Sequence, residues 1–460
     1  MKYAVLIDFG STFTKMVLVN LDAGEVVKTD KFPSTVKTDA AIGLHQCFDS
    51  ARAAVGASDF NEAEKLATSS AAGGLRMTVV GLTKAVSSTA GRNASFSAGA
   101  KVIGSVSGRL TDEHLEAINE SDTEILLMCG GYEGGNVRDL IHNAEVIAKS
   151  RLTVPVIFAG NSSVATTVRG ILKSCGKECF VAENIIPKVG SLNIKPTTDI
   201  IRELFMDRIT NMKGVGEVQS ELAEKIIPTP AAVLAAGQLL SRGTEKTEGL
   251  SDFMMADIGG ATTDIYSYIE NTGFDGAKRV GSPEPFAKRT VEGDMGMRES
   301  SICILNELGS AKLAQSAGVT EDMVRQAIDH RIHDTGYVAD SAPEQAIDLT
   351  LAKNAVKISA SRHAGRTTRE YQGRSRLIQR GKNLTEIKTV IGTGGIIVNS
   401  DHAEEILINA AAQGSSSEGV LLPEKVEPLV DHDYVLYAAG LLQDHAPDAA
   451  LSIMRTSLRI

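Results

Sequence analysis

The chain has 460 residues, which at roughly 150 residues per domain predicts two to four domains. Glycine is abundant at 43 residues and aromatic residues make up only 4%, which disfavours a stacking platform for single-stranded nucleic acid. The net charge of −10 disfavours nucleic acid and anionic membranes as main partners. With no long apolar run and no signal-peptide pattern, the sequence predicts a cytoplasmic protein without a membrane span.

The first 36 residues alternate apolar and polar side chains with period two. Strands are predicted over 3–8, 13–20 and 25–32, and the last two are joined by a turn at residues 22–24. A helix over 39–55 and a short strand over 65–69 follow. The pattern predicts a three-strand meander completed by a helix and a further strand.

Residues 76–183 alternate five extended segments with four helical ones. Such alternation predicts right-handed βαβ units and therefore a parallel sheet. We expect a flavodoxin-like domain with a core of its own, inserted into the rest of the chain. Farther along, residues 310–390 are predicted to be mainly helical, and the basic segment 362–382 is expected to be the solvated face of a helix.

Five cysteines are too few for a disulfide framework in a chain of this length. Cys175 and Cys179 stand one helical turn apart, but no second pair of cysteines or histidines has matching spacing. The sequence therefore favours reduced thiols over a two-thiolate metal site.

One short plan occurs twice, at residues 8–15 and again at residues 257–264. In each copy an apolar strand ends in Asp, and a spacer, a Gly and small or hydroxyl residues lead into a second strand. The glycine permits a tight turn and lets phosphate oxygens approach main-chain N–H groups. The carboxylates of Asp8 and Asp257 suit a hydrated Mg²⁺ ion. Two such loops that clamp one polyphosphate would explain the repetition, which also predicts two similar lobes.

A third element is the apolar strand that runs into the glycine-rich turn 392–395. A turn without side chains can lie flat against a purine. In isolation the same pattern also fits an ordinary strand and loop.

With these motifs the chain resembles the actin, Hsp70 and sugar-kinase superfamily of ATPases. Residues 8–15 resemble its first phosphate motif, 257–264 its second, and 392–395 its adenosine motif. Residues 228–237 and 437–441 resemble its two connecting helices, whose small residues let the lobes cross closely. The resemblance implies an α/β fold: two RNase H-like actin-type ATPase lobes with an inserted flavodoxin-like parallel α/β domain.

The implied division of the chain has four parts. Residues 1–75 form the first part of the first ATPase lobe, and 76–183 form the inserted domain, which has the strand–helix plan of a cobalamin-binding domain. Residues 184–250 complete the first lobe with its connecting helix, and 251–460 form the second lobe.

The resemblance also implies a site for ATP and Mg²⁺. Its ATP-binding residues are Gly10, Ser11, Thr12, Lys15, Gly259, Gly260, Ala261, Thr262, Thr263, Gly392, Gly394 and Gly395. Asp8 and Asp257 are expected to hold Mg²⁺ through water, and Asp8, Asp257 and Asp264 are the candidate catalytic residues. Hsp70-like members carry a Glu just inside the first connecting helix, where this chain has Thr229 and no acid. Asp257 is therefore the first candidate for a general base and Asp264 the second.

Residues 290–298, the insertion and the length together resemble the glutamate mutase accessory protein family of the MutL type. That resemblance implies ATP-dependent, chaperone-like reactivation of an adenosylcobalamin-dependent mutase by release of damaged cobalamin. The implied partners are subunits of glutamate mutase or a related aminomutase, and a homo-oligomer is left open.

The role of the insertion has alternatives. The Asp-x-His-x-x-Gly motif that supplies a cobalt ligand is absent, and His114 and His142 lie on predicted helices. Mimicry or displacement of the mutase's cobalamin subunit is expected, with direct cobalamin binding and a plain structural insertion as alternatives. The glycine-rich loop 128–135 ends a parallel strand, where ligands bind in such sheets. For the whole chain, a small-molecule kinase and an actin-type scaffold remain the rival functions.

Overall fold

The computed structural model describes residues 2–10, 13–36, 38–70, 75–210, 215–372, 374–412 and 419–460. The strands, in chain order, are β1 Tyr3–Phe9, β2 Phe13–Asn20, β3 Glu25–Pro33, β4 Glu64–Ser69, β5 Arg76–Gly81, β6 Lys101–Ser107, β7 Ile125–Gly130, β8 Val156–Gly160, β9 Cys179–Val181, β10 Ile227–Pro228, β11 Phe253–Ile258, β12 Thr263–Tyr268, β13 Ala277–Arg279, β14 Ala287–Glu292, β15 Arg366–Gln372, β16 Arg374–Arg380, β17 Thr389–Thr393 and β18 Glu427–Val430.

The α-helices, in chain order, are α1 Ala40–Val55, α2 Ala57–Glu62, α3 Thr89–Ser97, α4 Asp112–Glu120, α5 Arg138–Lys149, α6 Ala165–Ser174, α7 Lys195–Thr210, α8 Val215–Glu221, α9 Thr229–Arg242, α10 Ser301–Leu308, α11 Ser310–Ala317, α12 Glu321–His333, α13 Ala342–His363, α14 Gly395–Val398, α15 Ala403–Leu407, α16 Leu436–Leu442 and α17 Pro447–Leu458. A π-helical turn at Lys84–Ser88 and 3₁₀ turns at Ser162–Val164 and Ile408–Ala410 complete the helical elements.

Two of the sheets share one topology. The first has the order β3-β2-β1-β4-β10 and the second the order β14-β12-β11-β17-β18. In each, three antiparallel strands form a meander, and two more strands lie parallel to its first strand. This is the RNase H-like arrangement, and its occurrence twice confirms the expectation of two similar lobes.

The third five-stranded sheet lies between β4 and β10 in the sequence. Its order is β6-β5-β7-β8-β9 and every pairing is parallel. Numbered within the insertion, the order is 2-1-3-4-5, which is the flavodoxin-like order. The fold class predicted from the strand–helix alternation is therefore confirmed.

The insertion shares part of its hydrophobic core with the first lobe. On one face of its sheet, Leu126, Met128 and Phe158 pack in a separate cluster with α4, α5 and α6. On the other face, Val79 and Leu127 belong to the same buried cluster as β1 and α1 of the first lobe. The expectation of an independent core is thus wrong for one face. Periodicity shows which side of a strand is apolar, but it does not show what covers that side.

The basic segment after α13 is also different from the expectation. The helix ends at His363, and β15 and β16 pair as antiparallel strands, which β13 joins in a three-stranded sheet. Arg380 pairs with Glu370 across the hairpin at 2.8 Å. The prediction of a solvated helix face was wrong because the segment forms an antiparallel ladder.

The lobes are joined by a tight crossing of α9 and α16. A Cβ atom built on Gly440 would lie 1.9 Å from the carbonyl oxygen of Ala232, so the two backbones are in direct contact. The side chain of Tyr268 on β12 packs directly on Gly237 of α9, where a Cβ atom would lie 2.2 Å from the phenol ring. Small residues therefore set the distance between the lobes. Within the described part of the chain, none of the helices has both the length and the apolar character that crossing a bilayer requires.

We predict that Gly440→Ala lowers the free energy of unfolding by at least roughly 1–3 kcal/mol, because its methyl group overpacks the crossing. The matched control is Gly170→Ala within α6, where an added Cβ meets no atom within 4 Å. That substitution should stabilise the chain by about 0.5–1 kcal/mol, since alanine is the better helix former. Denaturant unfolding of both variants provides the measurement, and equal midpoints would contradict the close crossing.

Candidate functional site

The first repeated turn is closed by one short backbone bond. The N–H of Gly10 donates to the carbonyl of Phe13 at 3.0 Å. A Cβ atom on Gly10 would lie 2.6 Å from that carbonyl oxygen, so the turn needs glycine at this position. The candidates Ser11 and Thr12 lie outside the described residues.

The second repeated turn closes in the same way. The N–H of Gly259 donates to the carbonyl of Thr262 at 2.9 Å. No acceptor among the described residues takes up the N–H groups of Gly260, Ala261 or Thr262, and both glycines are exposed. Consecutive free N–H groups in a tight turn are typical of an anion-binding nest.

A backing segment at residues 295–300 holds this second turn from behind. Met297 and Arg298 donate their N–H groups to the carbonyls of Gly259 and Gly260, at 3.1 and 2.7 Å. The hydroxyl of Thr263 donates to the carbonyl of Met295 at 2.5 Å. Thr263 is therefore buried and committed to the backing segment, whereas the neighbouring turn keeps its N–H groups free.

Asp8 is almost fully buried, with 1% of its surface exposed. Its Oδ1 accepts hydrogen bonds from the hydroxyl of Thr229 at 2.6 Å and from that of Thr68 at 3.1 Å. Its Oδ2 lies 3.7 Å from Nζ of Lys15. Two hydroxyls thus fix one oxygen of the carboxylate, and the other oxygen faces a cation.

Lys15 lies beneath an aromatic ring that the sequence did not point to. Its Nζ is 4.0 Å from the ring centroid of Tyr434, a favourable cation–π distance. Burial opposes the charged ammonium, but Tyr434 and Asp8 outweigh it and raise the pKa of Lys15. Burial raises the pKa of Tyr434 to about 12. Tyr434 also has a φ of 54°, a strained left-handed conformation of the kind that clusters at functional sites.

Asp257 is the penultimate residue of β11, the strand that leads into the second turn. It pairs in register with Asp264 on β12 and with Thr393 on β17. Burial, and then the charge of Asp264, raise the pKa of Asp257 to about 7, against the opposing charges of Lys15 and Arg289. The pKa of Asp257 is influenced by Asp8 and Lys15 of the first lobe, and the pKa of Lys15 is influenced by Asp257 in turn. The two turns therefore interact electrostatically across the cleft.

Asp264 lies directly opposite Asp257 on the neighbouring strand and is more deeply buried. It is 6% exposed, and its Oδ2 accepts from Nη2 and Nε of Arg289 at 2.7 and 3.0 Å. Its Oδ1 has no hydrogen-bond donor among the described residues. The structure therefore separates the two candidate bases: Asp257 is the more exposed, and Asp264 is held by a buried guanidinium.

The three glycines of the third turn serve different purposes. Gly392 fits under Leu407, and a Cβ atom there would lie 2.7 Å from it. Gly394 has a φ of 92°, and a Cβ atom there would lie 2.7 Å from Oδ1 of Asp257. A Cβ atom on Gly395 would meet nothing within 4 Å. The glycine-rich turn 392–395 therefore lies in direct contact with the carboxylate of Asp257.

The donor set fits a hydrated cation. No group of three His, Cys, Asp or Glu side chains converges in the described residues in a way that could hold a bare metal ion. Asp8 and Asp257 offer carboxylate oxygens, one from each lobe, and the buried Oδ1 of Asp264, opposite Asp257 on β12, accepts no hydrogen bond from the described residues. Magnesium commonly binds through one or two carboxylates, several waters and phosphate oxygens, so this set is compatible with it.

The candidate residues of the insertion have structural roles. Nδ1 of His114 caps α4 through Thr111, and Nε2 of His142 contacts the carbonyl of Leu110 at 3.2 Å. In the 128–135 loop, Glu133 accepts from the amide of Asn184 at 2.7 Å. A Cβ atom on Gly130 would lie 2.9 Å from Ser87. These contacts show that the loop is packed and hydrogen-bonded.

The cysteines are unpaired. Cys175 is exposed and Cys179 is buried, and neither forms a disulfide.

Paired RNase H-like sheets, twin Asp-containing hairpins and two crossing helices define a two-lobe, actin-type fold. The chain belongs to the MutL protein family, whose model matches residues 4–458. The curated Protein MutL of Clostridium tetanomorphum is 36% identical over 456 residues, which cover 99% of this chain and 98% of that protein. The resemblance to the glutamate mutase accessory family is thereby confirmed.

Two solved structures show distant similarity to this chain. A glycerol kinase of Plasmodium falciparum with ADP has a TM-score of 0.35 and 9% identity, covering 99% of this chain and 92% of that one. The ethanolamine utilization protein EutJ of Carboxydothermus hydrogenoformans has a TM-score of 0.28 and 11% identity, covering 98% and 90%. The fold is therefore assigned from the strand order and register of the sheets and not from these similarities.

We predict that Gly394→Ala destabilises the chain and weakens nucleotide binding together, because its Cβ would strike Asp257 and the backbone of Ile258. A left-handed residue with a side chain adds about 1–3 kcal/mol of strain. Gly395→Ala is the matched control and should leave the unfolding midpoint unchanged. Thermal unfolding and a fluorescent-nucleotide titration measure the two effects, and normal stability of Gly394→Ala would contradict this packing.

Proposed function

We propose that the chain binds Mg–ATP between its lobes and hydrolyses it. The observation that carries the proposal is the pair of hairpins, each closed by the same glycine-to-carbonyl bond and each preceded by an aspartate. The aspartates belong to different lobes, yet Asp8 and Lys15 both influence the pKa of Asp257. One ligand in the cleft can therefore touch both hairpins.

The phosphates would be held by the second hairpin and by Lys15. The free N–H groups of Gly260, Ala261 and Thr262 point to the binding of phosphate oxygens, and the ammonium of Lys15 adds a positive charge. Thr229 and Thr68 hold the Asp8 carboxylate in one orientation. Catalysis then depends on positioning and charge, as is usual in phosphoryl transfer.

Asp8 and Asp257 would hold the hydrated Mg²⁺. When bound, the ion neutralises developing negative charge on the phosphates. Asp257 is the carboxylate placed to orient the attacking water, because it is the more exposed of the two acidic residues of the second hairpin. Asp264 lies opposite it on β12 and is fixed by Arg289.

The adenosine would lie against the glycine turn 392–395. Thr393 fixes this turn by donating to Oδ2 of Asp431 at 3.0 Å, and Asp431 also caps α16. A single buried aspartate therefore ties the adenosine turn to one of the two helices that join the lobes. Binding of the nucleotide base is coupled in this way to the angle between the lobes.

We further propose that the ATPase cycle reactivates an adenosylcobalamin-dependent mutase by releasing damaged cobalamin. Membership of the glutamate mutase accessory family supports this role. Closure of the lobes around ATP would change the surface offered to the mutase, as in other two-domain switches. The insertion is the natural mutase-contacting element, because its outer helices α4, α5 and α6 cover the face turned away from the first lobe.

We predict that Asp8→Asn and Asp257→Asn each lower Mg²⁺-dependent ATP hydrolysis at least about 10²-fold, because each removes a carboxylate charge facing the cation. Asp322→Asn, on the exposed surface of α12, is the matched control and should hydrolyse ATP at the parent rate. Phosphate release is the measurement. Parent-level turnover in both cleft variants would exclude this site.

Two further measurements separate the rival functions. Phosphate transfer only in the presence of an added small-molecule acceptor would show a kinase instead of an ATPase. ATP-dependent pelleting would show a filament.

For the mutase role, we predict that the parent chain with ATP and fresh adenosylcobalamin restores an inactivated glutamate mutase. Asp257→Asn should not restore it, because hydrolysis is lost. If the variant restored the mutase as well as the parent does, reactivation would not depend on ATP hydrolysis.

A further inference from the structure

One turn of the insertion lies between the two lobes. It comprises residues 96–100, which end α3 and lead into β6, and we call it the wedge turn. Its backbone is tightly ordered: the N–H of Gly99 donates to the carbonyl of Phe96 at 3.0 Å, and that of Ala100 donates to Ser95 at 3.0 Å. The wedge turn contacts each lobe next to a residue that bonds to an aspartate of the site.

Its contact with the second lobe is made by Arg289. This residue of β14 is 4% exposed. Its Nη1 donates to the carbonyls of Phe96 at 3.1 Å and Ala100 at 3.5 Å, while Nε and Nη2 donate to Asp264. Because Asp264 pairs in register with Asp257, one guanidinium bridges the wedge turn and the strand pair that carries the proposed Mg²⁺ ligand.

Its contact with the first lobe is made by Gly99. A Cβ atom on this residue would lie 2.6 Å from Cβ of Pro228, and its φ is 88°, so only glycine fits comfortably. Pro228 is followed by Thr229, whose hydroxyl holds Oδ1 of Asp8. The wedge turn is thus one residue away from the support of the first carboxylate as well.

We propose that the wedge turn couples the ATP cleft to the insertion, and that Arg289 is the positioning residue that carries this coupling. The inference rests on the proposed binding of ATP between the lobes. The insertion shares its inner core with the first lobe and therefore moves with it. Arg289 belongs to the second lobe, so any change in the angle between the lobes acts on the bonds from Arg289 to the wedge turn.

A buried guanidinium makes this coupling strong. Leaving a buried charge without partners is costly, so Arg289 cannot simply release the carbonyls of the wedge turn when the lobes move. Either the turn follows Arg289, or Arg289 shifts and releases Asp264. The first outcome transmits a change in the cleft to α3 and β6 of the insertion, and the second changes the surroundings of Asp264 beside the proposed Mg²⁺ ligand. By the same contacts, a partner bound to the insertion acts on the cleft.

The test is hydrogen exchange of the intact chain with and without Mg–ATP, followed in two peptides. One peptide contains the wedge turn and the other contains the adenosine turn 392–395. In the parent, ATP should slow exchange in the adenosine turn and change exchange in the wedge turn by roughly fivefold or more.

Arg289→Lys keeps a positive charge beside Asp264, but one ammonium cannot also reach both carbonyls of the wedge turn. This variant should keep the response of the adenosine turn and lose that of the wedge turn. The matched control is Arg331→Lys, which changes another fully buried arginine of the second lobe, bonded there to Asp348 and Glu344. It should keep both responses.

An unchanged wedge-turn response in Arg289→Lys would overturn the coupling, and so would a parent whose adenosine turn responds while its wedge turn does not. No response in either parent peptide would instead refute the proposed ATP site, and the coupling with it. Should Arg289→Lys fail to fold, Gly99→Ala tests the same link from the first lobe. It should reduce the wedge-turn response at least about threefold, and an unchanged response would again overturn the coupling.

Discussion

The contact of α9 with α16 is the constraint on which the rest of the structure depends. Gly440 lies against the carbonyl of Ala232 so closely that no side chain fits between them. The two helices pack between the sheets of the lobes in one buried cluster with β1, β11 and β12. Because the backbones touch, the lobes lie as close together at this edge as packing allows, and the hairpins of Asp8 and Asp257 are brought within electrostatic reach of one another.

Local hydrogen bonding explains why much of the site could be predicted from the sequence. Each hairpin is closed within four residues, so its glycine and aspartate are recognisable without knowledge of the fold. The alternation of strands and helices predicted the parallel sheet of the insertion because strands connected through a helix in βαβ units run parallel. The basic segment was predicted to be helical from its many arginines alone. Its residues Thr367, Thr368 and Tyr371 favour strands and were the signal for the hairpin.

The residues that sequence reasoning missed all act over long separations. Thr229 bonds to Asp8 across 221 positions, Tyr434 covers Lys15, and Arg289 reaches Phe96 across 193 positions. Tyr434 and Arg289 lie outside the motifs, Thr229 lies in the first connecting helix without an expected role there, and only the packing of the lobes brings each to its partner. The one available signal was the absence of an acid at Thr229, which the structure explains by a hydroxyl that supports a carboxylate instead.

The position of β10 also has a consequence for how the chain is made. The first lobe's sheet gains its last strand, Ile227–Pro228, about 160 residues after β4 ends at Ser69. Translation at roughly 5–20 residues per second delays that strand by on the order of 10 s. During that time β4 presents an open edge, which is an aggregation hazard. The insertion is synthesised in this interval, so Val79 and Leu127, which share a buried cluster with β1 and α1, are available before β10 completes the sheet.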